Sequence, residues 1–218
     1  TEPSSGHCAG AYGQRMERVE MPRWPHFGRS EAESLIMPSA FGHLLVPLSL
    51  RLGAGARRMN WRLTAFCCGS AVLPDLDVIG FVFRVPYGSP WGHRGASHSL
   101  VAAFIWAAAS IVLAKRLRAP RWTVFVVTLV STTSHTLLDA FTNGGKGVAL
   151  FWPWSAERFF FPFRPIQVSP IGVRFFSERG LQVVGSEFCW VGLPSLLLAM
   201  TVIGWRFWKK RGEVSGSR

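Results

Sequence analysis

The chain of 218 residues carries a net charge of +12, and 49% of its residues are hydrophobic. Its apolar residues fall into blocks separated by short Arg/Lys clusters, which is typical of a polytopic membrane protein. Because the basic residues lie beside apolar blocks, we attribute the charge to helix orientation and to a lipid bilayer partner, and expect no nucleic-acid partner. The four cysteines form no CxxC pair, which argues against a cysteine-based zinc site.

Composition divides the chain into three parts. Residues 1–37 are polar and lack the apolar core of a signal peptide, so we expect a disordered extension there, and Met37 is a candidate for the natural start. Residues 38–208 are predicted to form one membrane-embedded domain with an outer loop at 142–187. Residues 209–218 are predicted to be a basic cytoplasmic tail.

The apolar blocks predict an all-α membrane bundle of about four to five helices. The first block, 39–50, is short and contains Pro47, which favours a tilted, re-entrant or broken helix. The second, 63–83, is interrupted by Pro74, so we expect Asp75 and Asp77 at a helix break near membrane depth. Regular helices are expected at the remaining blocks, 99–114, 122–141 and 188–205.

Three basic clusters follow the first, third and fifth blocks, at residues 51–62, 115–121 and 206–211. Placing all three in the cytoplasm lets the five segments alternate, and puts loops 84–98 and 142–187 on the opposite side. Every candidate ligand outside the first block is then expected near that non-cytoplasmic face.

Acidic residues are scarce in the apolar part of the chain. Only three lie between Ser34 and Ala156, and each is in or beside apolar sequence. A carboxylate in hydrocarbon costs several kcal/mol unless it is paired or coordinated, so such residues are functional candidates. Together with nearby histidines they give seven candidate metal ligands: His43, Asp75, Asp77, His93, His98, His135 and Asp139.

The spacing of these residues favours a shared site. His135 and Asp139 are one helical turn apart on a polar stripe, although an interhelical hydrogen bond would also account for the pair taken alone. Asp75 and Asp77 project together from an extended segment. A loop with a helix cap would account for Ser97, but not for the histidines on either side of it in 93–98, while His43 alone is explained equally well as a core residue.

Carboxylate and imidazole ligands without thiolates suit zinc, or else manganese or iron, in a hydrolytic site. The motifs resemble those of the YdjM-type bacterial inner-membrane proteins, which are LexA-regulated in some members and are described as metal-dependent hydrolases. The matching elements cover residues 37 to about 165 and are MPSAFGH at 37–43, LPDLD at 73–77, HRGASHS at 93–99, SHTLLD at 134–139 and FWPWS at 151–155. Ala96 stands where we expect Thr.

The order of the ligands is also similar to that of the zinc-dependent phospholipase C and nuclease group, which cleaves phosphodiesters. That resemblance implies a helical fold, clustered metal ions and a phosphoester substrate, a lipid included. One or two divalent metals would activate water, with Asp77 or Asp139 as general base and Arg94 neutralising a phosphoryl oxygen. Some of the seven candidates are expected to orient the ligands rather than to bind metal.

Two other classes of membrane protein are also compatible with these residues. An ion- or proton-coupled transporter would use the same buried residues, but the chain shows no internal repeat. A noncatalytic membrane scaffold stabilised by a metal is the third alternative. The loop at 142–187 is predicted either to recognise substrate or to form an interfacial aromatic belt, with Arg158 and Arg164 meeting lipid phosphates in either case. The oligomeric state is left open.

Overall fold

A computed structural model describes residues 36–37, 40–170 and 178–215. The extension predicted for residues 1–37 lies outside the described part except for its last two residues. Apart from one antiparallel pair of two-residue strands, β1 (Ile36–Met37) and β2 (Ser169–Pro170), the regular structure of the described residues is helical. The α-helices are α1 (Ala40–Ala54), α2 (Trp61–Val72), α3 (Leu100–Ser110), α4 (Ala114–Leu117), α5 (Arg121–Ala140), α6 (Glu178–Glu187) and α7 (Leu193–Ser215).

Helix α1 is continuous through Pro47. Proline has no N–H, so Pro47 cannot donate to the carbonyl of His43 four residues earlier. The broken-helix alternative considered for this segment is therefore not what the structure adopts. The helix stays short, at 15 residues, and is apolar.

The break predicted in the second segment is present. Helix α2 begins at Asn60, whose side chain accepts a hydrogen bond from the N–H of Leu63, and ends at Val72. A 3-10 helix, Leu73–Phe81, follows directly and has Pro74 near its start. Asp75 is buried in this 3-10 segment, so the two aspartates lie just beyond a change of helix type.

The last helical segment is longer than the predicted 188–205. Helices α6 and α7 are joined by a π-helical turn, Phe188–Gly192, and the helix continues to Ser215. The start of the predicted basic tail, from residue 209, is thus helical. The last ten residues of the predicted loop 142–187 are helical and form α6.

The three basic clusters meet at one end of the bundle, which we call the basic end. Arg206 donates to the carbonyls of Gly53 and Ala54 at the end of α1, and Asn60 donates to the carbonyls of Leu117 and Arg118. The buried apolar core lies near this end and consists of Met59, Leu63, Cys67, Ala114, Leu117 and Val124.

The segments 82–99 and 141–168 meet at the opposite end, which we call the loop end. The parallel bridge Thr142–Ile166 and the antiparallel bridge Val148–Phe159 organise the second of these segments. Backbone hydrogen bonds from Leu100 N–H to Leu150 O and from Ala149 N–H to Arg94 O join it to the first. This end carries the candidate site.

Within the described residues, three helical stretches are long and apolar enough to cross a bilayer: Trp61–Phe81, Leu100–Leu117 and Gly180–Arg211. Helix α5 has 20 residues, but its Ser, Thr, His and Asp side chains keep it out of this set. Its polar face, including Thr128, Ser131, Thr132 and His135, is buried inside the bundle, as the polar stripe predicts.

Candidate metal centre

Four of the predicted ligands converge on one point at the loop end. The Nε2 atom of His98 lies 3.5 Å from Asp75 Oδ1 and 3.3 Å from Asp139 Oδ2. The Nε2 atom of His135 lies 3.5 Å from Asp75 Oδ1 and 3.8 Å from Asp139 Oδ2. The two Nε2 atoms are 3.0 Å apart, and one ligand atom from each of the four residues lies within 4.8 Å of the others. We call these four residues the ligand cluster.

Hydrogen bonds at the other ring nitrogens fix which atoms face this point. His135 Nδ1 lies 2.7 Å from the carbonyl oxygen of Ala71, which can only accept, so this nitrogen carries the proton. His98 Nδ1 lies 3.1 Å from Asp77 Oδ2 and is protonated for the same reason. In the neutral rings both Nε2 atoms therefore present lone pairs, together with two carboxylate oxygens.

Pro74 explains why a backbone carbonyl is free to hold His135. Because Pro74 has no N–H, the carbonyl of Ser70 has no α-helical donor and that of Ala71 has no 3-10 donor. Helix α5 supplies the missing donors: Thr132 Oγ1 lies 3.5 Å from Ser70 O, and His135 Nδ1 binds Ala71 O. The helix break thus orients the His135 ring, a candidate ligand, as well as placing Asp75.

The ligand cluster has the dimensions of a tetrahedral site. Zinc binds imidazole nitrogen and carboxylate oxygen at about 2.0–2.2 Å, so the edges of a regular tetrahedron are about 3.3–3.6 Å. The five measured separations run from 3.0 to 3.8 Å. Four acceptor atoms at these distances repel one another unless a cation lies between them. The residues therefore fit a divalent metal.

Asp77 lies beside the ligand cluster and has a different environment. Its Oδ1 is 2.5 Å from His93 Nδ1, and its Oδ2 accepts hydrogen bonds from the N–H of Arg94 at 3.1 Å and the hydroxyl of Ser97 at 2.5 Å. The contact with His98 Nδ1 makes a fourth donor. Both oxygens are thus occupied by groups that fix the orientation of His98, an arrangement that accompanies metal-binding histidines.

The alternative that Ser97 serves as a helix cap is not what the structure shows. Ser99 caps α3: its hydroxyl accepts from the N–H of Ala102 and donates to the carbonyl of Ala96. Ser97 instead donates to Asp77. The capped helix start holds His98, the residue immediately before it, at the ligand cluster.

His43 and His93 lie at the edge of the cluster. His43 stacks on His135 with ring centroids 3.9 Å apart, and its Nε2 is 3.5 Å from Asp139 Oδ1. Neither nitrogen of His43 has a hydrogen-bond partner among the described residues, and the same is true of His93 Nε2. Asp77, His93 and His98 form a second group that could hold a metal ion, sharing His98 with the first.

Arg94 is fully buried and contacts the ligand cluster directly. Its Nε lies 3.1 Å from Asp139 Oδ2, and its Nη1 donates to Thr142 Oγ1 and to the carbonyl of Gly144. The Nη2 atom is buried without a hydrogen-bond partner among the described residues. The backbone of Arg94 has a φ of 61°, which is unfavourable for a residue with a Cβ and is typical of functional sites.

Two glycines allow the loops to approach Arg94. A Cβ at Gly95 would lie 2.3 Å from the carbonyl oxygen of Pro90, so only glycine fits the HRG sequence at this position. Gly145 has a φ of +83°, and a Cβ there would lie 2.7 Å from Arg94 Nη1.

Sequence reasoning missed the role of Tyr87 and misassigned Arg158. Arg158 donates to four backbone carbonyls, those of Tyr87, Ser89, His93 and Gly147, so its guanidinium joins the two loops and is not available for lipid phosphates. Tyr87 packs edge-on against His93, and its hydroxyl accepts from the N–H of Lys146. Burial raises the pKa of Tyr87, which keeps this hydroxyl neutral. No spacing rule in the sequence signals either residue.

The comparisons with known proteins agree with this architecture. The sequence model of the YdjM inner membrane protein family matches residues 37–212. The inner membrane protein YbcI of Escherichia coli (strain K12) is 42% identical over 177 residues, which are 80% of this chain and all of that protein. No solved structure matches. The matched region contains the whole ligand cluster, both loops and the membrane helices, and the chain therefore belongs to the YdjM family of inner membrane proteins.

Proposed function

We propose that this protein is a membrane-embedded, metal-dependent hydrolase that acts on a phosphoester or lipid-like substrate. The observation that carries the proposal is the convergence of two histidine lone pairs and two carboxylate oxygens at separations of 3.0 to 3.8 Å. Asp75, His98, His135 and Asp139 would hold the metal, with zinc favoured and manganese or iron as alternatives. A divalent metal in this position lowers the pKa of a bound water towards ~7 and so supplies hydroxide near neutral pH.

The surrounding residues divide the remaining tasks. Asp77 would orient His98 and His93, because its oxygens contact four donors, among them the Nδ1 atoms of both rings. Of the two aspartates considered as general base, Asp139 suits the task better, because its Oδ1 accepts no hydrogen bond and faces His43 at 3.5 Å.

Arg94 supports a phosphoester substrate in particular. It is a fully buried cation beside the ligand cluster, with Nε and Nη1 engaged and Nη2 without a hydrogen-bond partner among the described residues. A donor fixed in this way can stabilise a developing negative charge on a phosphoryl oxygen without reorganising. The loop end would face the non-cytoplasmic side, since all three basic clusters lie at the other end.

Metal content and turnover together test the proposal. We would measure bound metal by elemental mass spectrometry and hydrolysis of bis(p-nitrophenyl) phosphate on detergent-purified protein. Wild type should hold stoichiometric divalent metal and turn over the phosphodiester. The double variant His135→Ala/Asp139→Ala should lose both at least tenfold while keeping its helical circular dichroism.

Ser134→Ala is the matched control. Ser134 neighbours His135 on α5, but its hydroxyl donates only to the carbonyl of Ser131, one turn earlier, so this variant should keep metal and turnover. A wild-type protein that is metal-free after purification without chelators, and that binds none on addition of zinc, manganese or iron, would refute the proposal.

A further inference from the structure

Within the ligand cluster only Asp75 has an exposed side-chain fraction, and exposed apolar residues follow it in the chain. The side chains of His98, His135 and Asp139 are 0% exposed, whereas that of Asp75 is 11% exposed. Asp75 lies on the 3-10 helix 73–81, whose Leu76 and Ile79 are 56% and 53% exposed. The exposed side chains along this segment and just after it are Leu76, Ile79, Val82 and Phe83, which we call the apolar strip.

The apolar strip continues a membrane-spanning surface. Leu76 and Ile79 belong to the candidate span Trp61–Phe81. On the loop side, by contrast, the ligand cluster is covered by the buried Arg94, which is hydrogen-bonded to Thr142 and Gly144. The partly exposed member of the ligand cluster, Asp75, therefore belongs to the same candidate membrane span as Leu76 and Ile79.

The ligand cluster lies near one boundary of the hydrocarbon core, next to the lipid headgroups. Along α2 and the start of the 3-10 helix, the twelve residues Trp61–Val72 rise roughly 18 Å and the next three, to Asp75, roughly 6 Å. Along α5, Asp139 lies roughly 27 Å from Arg121. Measured from the basic end, both helices bring the cluster close to the far boundary of a hydrocarbon core ~30 Å thick.

We infer that the substrate is a phospholipid resident in the leaflet at the loop end, which reaches the ligand cluster from the bilayer past the apolar strip. Its headgroup phosphate lies beside Asp75, and its acyl chains stay in contact with Leu76 and Ile79. Arg84, exposed at the end of the strip, supplies a cation for the anionic headgroup. This inference rests on the hydrolase function proposed above.

The test compares two substrates on the same protein. Hydrolysis of dioleoylphosphatidylglycerol in nanodiscs measures access to the ligand cluster from the bilayer. Hydrolysis of bis(p-nitrophenyl) phosphate measures access from water. Wild type should hydrolyse the lipid, and Leu76→Gln should lower the ratio of lipid to soluble turnover at least fivefold, because the amide places a polar group on the route. The control Leu197→Gln makes the same change at a site that is 67% exposed on α7, which packs against α1, and should leave the ratio within twofold of wild type.

The outcomes separate the two proposals. If the soluble phosphodiester is hydrolysed and the lipid is not, or if both glutamine variants change the ratio equally, the bilayer route is wrong and the hydrolase stands. If neither substrate is hydrolysed, the hydrolase proposal is in error, and cross-linking decides the route by itself. Phosphatidylglycerol carrying a diazirine on its headgroup should label the 73–84 peptide in nanodiscs. Absence of that label, while a tail diazirine labels the peptide around Leu197, overturns the inference regardless of activity.

Discussion

The Nε2 atoms of His98 and His135 lie 3.0 Å apart, and each ring already uses its Nδ1 proton, His98 towards Asp77 and His135 towards the carbonyl of Ala71. Neither ring can place a proton between the two atoms without becoming cationic or losing its second partner. A divalent metal resolves this conflict and leaves both outer hydrogen bonds in place. The predictions below follow from this relationship and from the loops that surround it.

Removing the metal should destabilise the protein without unfolding it. Stripping with a chelator leaves the four converging acceptors uncompensated, so we expect a lower midpoint of thermal unfolding that zinc addition restores in a concentration-dependent way. Helical circular dichroism at 25 °C should be retained, because the apolar core near the basic end does not involve the ligand cluster. Complete loss of helicity on stripping would instead favour the metal-stabilised scaffold.

Asp77→Asn should weaken metal binding without abolishing it. The substitution keeps the shape of the side chain but replaces one acceptor of the His98 and His93 rings by an amide donor. We expect the metal dissociation constant to rise about 10–100-fold, the range found for outer-shell partners of metal-binding histidines. Asp75→Asn, which removes a ligand charge, should raise it further. Equal losses in the two variants, measured by competition with a zinc-binding dye, would mean that Asp77 binds metal directly.

Gly145→Ala should destabilise the loop end. The φ of +83° and the contact of 2.7 Å between a Cβ and Arg94 Nη1 both oppose a side chain at this position. We expect a loss of about 1–3 kcal/mol in the free energy of unfolding. Gly69→Ala is the control, since a Cβ at this helical glycine meets nothing within 4 Å. The control should be neutral or more stable by about 0.5–1 kcal/mol. Similar unfolding midpoints for the two variants would contradict this assignment.

Arg158→Lys should loosen the contact between the two loops. Lysine is a single point charge and cannot replace a planar guanidinium that donates to four carbonyls. Hydrogen exchange should rise at the backbone N–H groups of Gly95 and Val148, whose acceptors lie in these loops. Arg164→Lys should leave the same amides protected, because Arg164 lies over the Phe160 ring. Unchanged exchange in Arg158→Lys would show that the loops hold together by other contacts.

Much of the fold could be predicted from the sequence because its signals are local. The length of each apolar block predicts a helix, and Pro74 predicts the break in the second segment. The polar stripe on α5 predicts which face of that helix is buried. The true limits of the last helix were missed, since the amphipathic start at 178–187 lacks the apolar character used to recognise a span. The continuity of α1 through Pro47 could not be predicted either, because packing against neighbouring helices offsets the missing hydrogen bond.

The residues of the candidate site could be predicted from the sequence. Which of them would bind a metal and which would orient the others could not. Acidic residues are rare in the apolar part of the chain, so Asp75, Asp77 and Asp139 can be recognised there as functional candidates whatever their individual roles. Only the hydrogen bonds separate Asp77, occupied by four donors, from the two aspartates of the ligand cluster. Arg158 and Tyr87 act through backbone carbonyls and ring contacts, which depend on the three-dimensional path of the loops and leave no trace in residue spacing.

The two carbonyls freed by Pro74 also constrain how the protein is made. When α2 enters the bilayer, the oxygens of Ser70 and Ala71 each lack the donor that a residue other than proline at position 74 would supply, and an unsatisfied backbone group costs several kcal/mol in hydrocarbon. The donors that satisfy them, Thr132 and His135, are synthesised about sixty residues later. We therefore expect α2 to reach its final hydrogen bonding only after α5 has inserted beside it. The hydrogen bond from His135 to the carbonyl of Ala71, which orients a candidate ligand, thus links the membrane insertion of α2 to that of α5.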